Sequence, residues 1–284
     1  MPELPEVETV VRDLRPLLIG RRLTAITTGS RALRRPWSND WGNLLRGRRV
    51  AQVGRRGKWI LVGLDDDQHL LIHLGMTGQL TVAPTAQKWN SHTHWVVDLD
   101  ESHEQLRFRD IRRFGSVTRF PHAKALKDFF QSARLGPEPF DMKKAYWLAT
   151  LRRTERCLKA VLLDQRVVAG VGNIYADESL YQARLHPALM ACRLENVEAE
   201  RLRKAISVVL TRAIEQRGSS IRNYIGGSGL KGQYQEEFRV YGRAGEPCPR
   251  CKATIKRIRL AGRSTHFCPH CQINSSRRKS KIRS

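Results

Sequence analysis

The sequence predicts an α+β fold: a β-sandwich carrying one N-terminal helix, then a helical segment, then a small cysteine-rich module. Three observations predict it. Short apolar runs separated by turn residues dominate as far as about residue 120. Apolar residues then recur at helical spacing from Pro121 to Gly218. Near the C-terminal end stands Cys248-x2-Cys251-x16-Cys268-x2-Cys271.

The chain opens Met1-Pro2-Glu3-Leu4-Pro5-Glu6-Val7-Glu8-Thr9. Val7, Val10, Val11, Leu14, Leu17 and Leu18 follow a helix face, Pro5 suits the first turn, and Glu6 and Glu8 complement the positive helix end. Trp59 to Val62 and Leu70 to Leu74 read as buried strands, and Trp95 to Leu99 and Leu106 to Arg109 as further ones. Turn signals at Asp65-Asp66-Asp67 and from Gly75 to Gly78 separate some of them. Several strands and one helix suggest a sandwich with the helix packed against it. Beyond it Leu126, Phe129 and Phe130 share a face, and Leu202, Ile206, Val209, Leu210 and Ile214 lie along a long helix ending at Gly218. Gly136-Pro137-Glu138-Pro139 reads as a linker. The expected domains are 1–120 for the sandwich, 121–240 for the helical domain, 241–273 for a finger, and 274–284 for a basic disordered tail.

At 284 residues the chain can hold two separate cores. Its formal net charge of +24 implies a polyanionic partner, because each Lys or Arg that neutralises a phosphate releases a counterion. The charge is clustered: Arg46, Arg48, Arg49, Arg55, Arg56 and Lys58 stand together without an acid, and residues 241–284 hold 12 basic residues against one acid, Glu246. No apolar run reaches the length of a membrane span, and the acidic N-terminus lacks a signal core. Four of the six cysteines form CxxC pairs, which suits a reducing interior and metal binding better than a disulfide framework. A cytoplasmic protein is expected.

The cysteine spacing can present four thiolates tetrahedrally to one structural Zn2+, with no open position to activate water. Lys256, Arg257 and Arg259 would decorate a hairpin between the knuckles; Cys157 and Cys192 read as ordinary thiols. Gly170-Val171-Gly172-Asn173 is a glycine-broken turn entering a helix. Its first amides suit a phosphate, or simply a capped helix. Lys58 stands before a strand, as a ligand or a solvated side chain. Arg112-Arg113-Phe114-Gly115 puts an aromatic beside paired arginines, either as core or as a wedge between bases. Loss of Met1 would leave a secondary amine on Pro2. An α-amine titrates near roughly 8, a helix start lowers it, and such an amine can attack an aldehyde-like carbon to form an iminium. The bland reading of the same residues is a helix cap.

Together these pieces resemble the formamidopyrimidine-DNA glycosylase family, bacterial repair enzymes that excise oxidised purines. The likeness runs through Pro2 to Thr9, Gly57-Lys58, His73-Leu74-Gly75-Met76-Thr77-Gly78, Asp110 to Gly115, Leu163-Asp164-Gln165, Gly172-Asn173-Ile174-Tyr175, Val240-Tyr241-Gly242-Arg243, and Arg263 to Pro269. Leu4 stands where the endonuclease VIII branch, which prefers oxidised pyrimidines, typically has glycine. The sequence departs from the family at Lys252, commonly glycine, in the glycine content of Tyr224 to Gly232, and in its basic tail.

The resemblance implies a helix–two-turns–helix domain after the sandwich, a terminal zinc finger, and double-stranded DNA containing oxidised bases or abasic sites as partner of a monomer. Zinc is the sole cofactor it implies. Pro2 would be the nucleophile on C1′ and Glu3 the proton donor, with Glu6 in the damaged-nucleotide site. Lys58 and Arg263 would contact phosphate and donate protons. His73, Asn173 and Tyr241 would hold the backbone, and Lys159 would lie near the DNA. Met76, Arg112 and Phe114 would fill the hole left by the extruded base, Arg112 facing the orphaned partner, usually cytosine. The Ser219–Tyr234 loop would close over the flipped base. Two rivals are an oxidised-pyrimidine glycosylase, and a non-catalytic zinc-ribbon DNA-binding protein in which Met1 is retained.

Overall fold

In a computed structural model the described residues are 1–38, 40–100, 103–220 and 230–273. The expected basic tail and most of the Ser219–Tyr234 loop lie outside them. The described residues form two compact units. One comprises Met1–Arg134 with Ile214–Gln235; the other comprises Leu135–Ala213 with the residues from Glu236 on.

The first unit opens on α1 (Leu4–Leu18), with Glu3 in extended conformation at its N-cap. Val7, Val11, Leu14 and Leu18 are fully buried and Val10 nearly so. Each contributes roughly 2 kcal/mol of burial. Leu17, expected on that face, is instead 37% exposed. The helix packs on strands of two four-stranded antiparallel sheets and shares one core with them.

One sheet has the order β1-β6-β7-β5, built from β1 (Leu23–Thr28), β5 (Gly78–Pro84), β6 (Thr93–Leu99) and β7 (Glu104–Asp110). The other has the order β2-β3-β4-β8, from β2 (Val50–Arg56), β3 (Trp59–Leu64), β4 (His69–His73) and β8 (Ser116–Phe120). A short helix, α2 (Asp40–Leu45), lies between β1 and β2. After β4 the chain changes sheet twice, at the β4–β5 turn and at the β7–β8 turn. α3 (Ala123–Ser132), expected with the helical domain, belongs to this unit because the Phe129 ring packs on Phe120 and Trp59.

The second unit contains α4 (Lys144–Arg152), α5 (Leu158–Leu163), α6 (Asn173–Gln182) and most of α7 (Asn196–Glu215). Between α5 and α6 the Gln165 side chain accepts from Gly170 N (2.9 Å) and donates to Val171 O (2.8 Å). One amide thus closes the two turns of a helix–two-turns–helix arrangement. The finger belongs to the same unit. Its hairpin is β9 (Lys256–Leu260) and β10 (Arg263–Phe267). The chain reverses through Ala261 and Gly262, both at positive φ, as a two-residue primed turn requires. Lys252, the departure from family glycine, is also left-handed. That conformation costs a side-chain-bearing residue roughly 1 kcal/mol, which glycine would avoid. No helix among the described residues is long and apolar enough to cross a membrane.

Candidate active site and nucleic-acid interface

In the first unit the N-terminal residues are held by one carboxylate. Pro2 is buried; Glu3 and Glu6 are 3% and 2% exposed. Glu6 Oε2 accepts the Glu3 N–H at 2.8 Å, so the helix cap fixes the backbone next to Pro2. Its other oxygen accepts from Ser219 N (2.7 Å) and Ser219 Oγ (3.0 Å). Gly218 makes this possible: its φ is positive, and a Cβ there would lie 2.8 Å from Glu6 Oε1. The two feet of the following loop are clipped together. Ser220 N donates to Gln235 Oε1 (2.8 Å), Gly232 N to Ser220 Oγ (2.8 Å), and Tyr234 N to Gly218 O (3.0 Å). Glu6 therefore joins the start of α1 to the base of the loop expected to cap the lesion.

Lys58 sits in the β2–β3 turn and is only 7% exposed. Arg55 braces that turn, donating to Gly57 O (3.0 Å) and to Glu8 (3.0 Å). Burial pushes the Glu8 carboxyl up, but Arg12 and Arg55 outweigh it and hold it below the usual range. His73 pairs with Trp59 across β3 and β4, its ring 4.6 Å from the indole. Burial first, then the charges of Lys58, Arg34 and Arg35, lower its pKa to about 4. Nδ1 accepts Gly75 N–H at 3.0 Å, which leaves the proton on Nε2 as a neutral donor. This side of the sandwich is a cationic patch around an uncharged imidazole, suited to a phosphate.

His73 makes stability depend on pH. Its folded pKa lies below the ordinary 6.5, so the unfolded chain takes the proton first. The stability contributed by neutral His73 is complete above pH 6.5 and is lost as pH falls towards 4. NMR titration of the unliganded protein should give a midpoint near 4, moving upward when duplex DNA binds. A midpoint at the ordinary value without DNA would contradict this environment.

The β7–β8 turn projects. Ile111, Arg112, Arg113 and Phe114 are all exposed, and the Arg112 guanidinium lies 4.6 Å from the centre of the Phe114 ring. Phe114, 44% exposed, is therefore not core. Met76, on the β4–β5 turn, is half-buried.

In the second unit α6 begins at Asn173, whose Nδ2 donates to Ser264 O of β10 (3.0 Å). Two neighbouring carboxylates on α6 fasten the strand and the loop beside it. Asp177 accepts from His266 N (2.8 Å), and Glu178 accepts from the amides of Arg239 (3.0 Å), Val240 (3.0 Å) and Tyr241 (2.8 Å). Burial pushes the Glu178 carboxyl up while the three amides pull it back. Tyr241 is half-buried with its ring edge on His266, and Arg263 is exposed at the start of β10. Lys159, expected beside the DNA, is instead completely buried. Its Nζ donates to Asp177 Oδ1 (2.5 Å) and to Asn173 O (3.0 Å), so its charge is paired with Asp177 in the interior of this unit.

The four cysteines of the finger converge, with their sulfur atoms within 4.8 Å of one another. Cys251 and Cys268 are 3.5 Å apart, and Cys248 and Cys271 3.9 Å. Tetrahedral zinc with bonds of about 2.3 Å spaces sulfurs by about 3.8 Å, so this donor set fits the ion. Tyr181 OH lies 3.3 Å from Cys248 Sγ. Gln272 accepts Cys268 N–H (2.9 Å) while donating to Leu185 O (2.9 Å). These outer contacts seat the knuckles on the helices.

Sequence reasoning assigned no role to Asp110, Asp177, Glu178 and Gln272, all buried. Asp110 carried a readable signal, an Asx-type turn in which its carboxylate accepts the amide two residues on.

Comparison with known proteins is consistent across the chain. Residues 1–117 match the profile of the formamidopyrimidine-DNA glycosylase N-terminal domain, 135–224 that of the formamidopyrimidine-DNA glycosylase H2TH domain, and 245–273 a zinc finger found in FPG and IleRS. The formamidopyrimidine-DNA glycosylase of Chloroflexus aurantiacus is 45% identical over 268 residues, covering 92% of this chain and 94% of that protein. That of Desulforamulus reducens is 41% identical, covering 92% and 95%. Among solved structures, Lactococcus lactis Fpg with abasic-site DNA superposes with a TM-score of 0.89 at 35% identity, covering 96% and 100% of the two chains. MutM with DNA containing carbocyclic 8-oxo-G gives 0.88 at 36%, with the same coverage.

Proposed function

Because this chain belongs to the formamidopyrimidine-DNA glycosylase family, we propose that Pro2, uncovered by loss of Met1, is its nucleophile and that Glu3 handles the protons. The enzyme removes oxidised purines, formamidopyrimidines and 8-oxoguanine, from DNA in base-excision repair, and cleaves the abasic site as a lyase. The observation that supports the residue assignment is the buried Pro2-Glu3 pair, with its backbone fixed by Glu6.

The steps follow from the residues. A base inside a duplex cannot be reached at C1′, so the nucleotide is extruded at a cost of a few kcal/mol. Lys58, neutral His73, Asn173, Tyr241 and Arg263 hold phosphates, and Met76, Arg112 and Phe114 occupy the vacated space. The Pro2 lone pair forms a bond to C1′ while the C1′–N bond breaks, and the proton shed by the Pro2 nitrogen leaves with the base. Glu3 protonates the sugar ring oxygen as the ring opens, giving an iminium. The iminium accepts the electrons released when C2′ loses a proton, so the 3′ phosphate is expelled; a second elimination expels the 5′ phosphate, with Lys58 and Arg263 as proton donors. Cys248, Cys251, Cys268 and Cys271 hold one zinc ion, which supplies structure alone. Each chain acts as a monomer in the bacterial cytoplasm, where its substrate lies.

Incision of duplexes each carrying one lesion tests the substrate choice. Release of 8-oxoguanine should outpace release of an oxidised pyrimidine, and the intact mass of active protein should lack Met1. Faster pyrimidine release would shift the reading to the endonuclease VIII branch; retention of Met1 in active protein would remove Pro2 as nucleophile.

A further inference from the structure

We propose that Asp110 is a positioning residue that locks the two halves of the helix-filling wedge together and thereby sets discrimination of the base opposite the lesion. The inference rests on the assignment of Arg112 to the orphaned base. Met76 and the Arg112–Phe114 pair ride on different turns, and both turns are places where the chain passes from one sheet of the sandwich to the other. The two turns run against each other: a Cβ on Gly75 would lie 2.5 Å from Gly115 N.

Asp110, the last residue of β7, is fully buried where they meet. Its Oδ2 accepts Gly115 N–H at 2.7 Å and its Oδ1 accepts Arg112 N–H at 3.2 Å, so one carboxylate fastens both ends of the projecting turn. Oδ1 also accepts from Thr77 Oγ, next to Met76, and that hydroxyl in turn accepts Arg112 N–H at 3.1 Å. The projecting turn is further braced from outside, Arg34 N donating to Gly115 O (3.2 Å) and the Arg113 guanidinium to Ala32 O (3.3 Å). Met76 and Arg112 therefore sit on one block whose internal fastener is Asp110.

The chemistry of that fastener is specific. A carboxylate offers acceptors on both oxygens; an amide of the same shape offers one acceptor and one donor. Asp110→Asn must turn an N–H towards either Gly115 N–H or the Arg112–Thr77 pair, so either the Gly115 end of the turn is released or the Arg112 end is left to Thr77 Oγ alone. Reading of a base edge by a guanidinium depends on its placement, and phosphate clamping in other parts of the unit does not. Loosening should thus erode selectivity more than overall excision.

The test is single-turnover release of 8-oxoguanine opposite cytosine and opposite adenine, by the full-length wild-type protein and by Asp110→Asn, Thr77→Val and Arg112→Ala. The ratio of the two rates is unaffected by any inactive fraction, so simple misfolding cannot imitate the expected result. Asp110→Asn should lower the cytosine-over-adenine ratio by at least about fivefold, towards that of Arg112→Ala, with Thr77→Val between them. Thr77→Val carries the test if Asp110→Asn does not fold. A wild-type ratio in the Asp110 and Thr77 variants, alongside a reduced one in Arg112→Ala, overturns the proposal alone. An unchanged ratio in Arg112→Ala overturns the assignment of Arg112 and the proposal with it, while excision itself would still stand.

Discussion

Glu3→Gln should slow the single-turnover release of 8-oxoguanine by about 10³-fold while leaving affinity for lesion DNA within about threefold of wild type. The substitution preserves shape at a position only 3% exposed. It also preserves the fastening of the N-terminus. Glu6 takes the Glu3 backbone N–H, and a glutamine keeps an oxygen to accept the Glu6 N–H that completes the capping box. What the substitution removes is the transferable proton, which sugar-ring opening requires and DNA binding does not. Gel shift on uncleaved duplex with a stable abasic analogue, set beside rapid-quench kinetics on the lesion duplex, separates the two. Release at the wild-type rate would take Glu3 out of the acid role; equal losses of affinity and rate would mark it as structural.

Cys268→Ala should abolish zinc binding and lower DNA affinity by at least about tenfold, because a structural zinc site is itself a source of folding free energy. Cys268 is fully buried in a small core with Cys248, Ile255, Val240 and Tyr181 of α6. Its amide is held by Gln272, which also holds Leu185 O. Loss of the knuckle therefore frees β10, and with it His266, one of the partners of Asp177. Arg263 and the Ser264 carbonyl that orients Asn173 move with the same strand. Zinc content by atomic absorption and fluorescence anisotropy on duplex DNA check both halves. Retained affinity in zinc-free protein would show that the finger does not position these groups.

The centres of the two sheets were legible in the sequence and their edges were not. The strands expected at Trp59–Val62, Leu70–Leu74, Trp95–Leu99 and Leu106–Arg109 correspond to β3, β4, β6 and β7, the four central strands. The four edge strands, β1, β2, β5 and β8, carry no comparable signal. A central strand is buried through pairing on both sides and reads as an apolar run. An edge strand such as Val50-Ala51-Gln52-Val53-Gly54-Arg55-Arg56 mixes apolar residues with polar ones and charge. That is how sheet edges are protected, and also why they look like loops. The α1 face and the cysteine spacing were legible because each repeats a local geometry.

The candidate site divides the same way. Its exposed groups, Arg112, Phe114 and Arg263, belong to short motifs and could be named. Of the groups that hold them in place, Asp110 shows only through a local turn, whereas Asp177 and Glu178 act on backbone amides 61 to 89 residues away, which no local motif reveals. For Lys159 the resemblance alone implied a place near the DNA, whereas a carboxylate four positions beyond Asn173 pairs with it in the interior.

The chemistry proposed for this enzyme turns on a bond between the imino group of Pro2 and deoxyribose during turnover. Borohydride added while the protein acts on duplex DNA containing 8-oxoguanine, followed by proteolysis and mass mapping of the cross-linked peptide, tests it directly. The expected result is a single adduct on an N-terminal peptide that begins at Pro2. An adduct on a lysine, or an active protein whose first residue is still Met1, would contradict it.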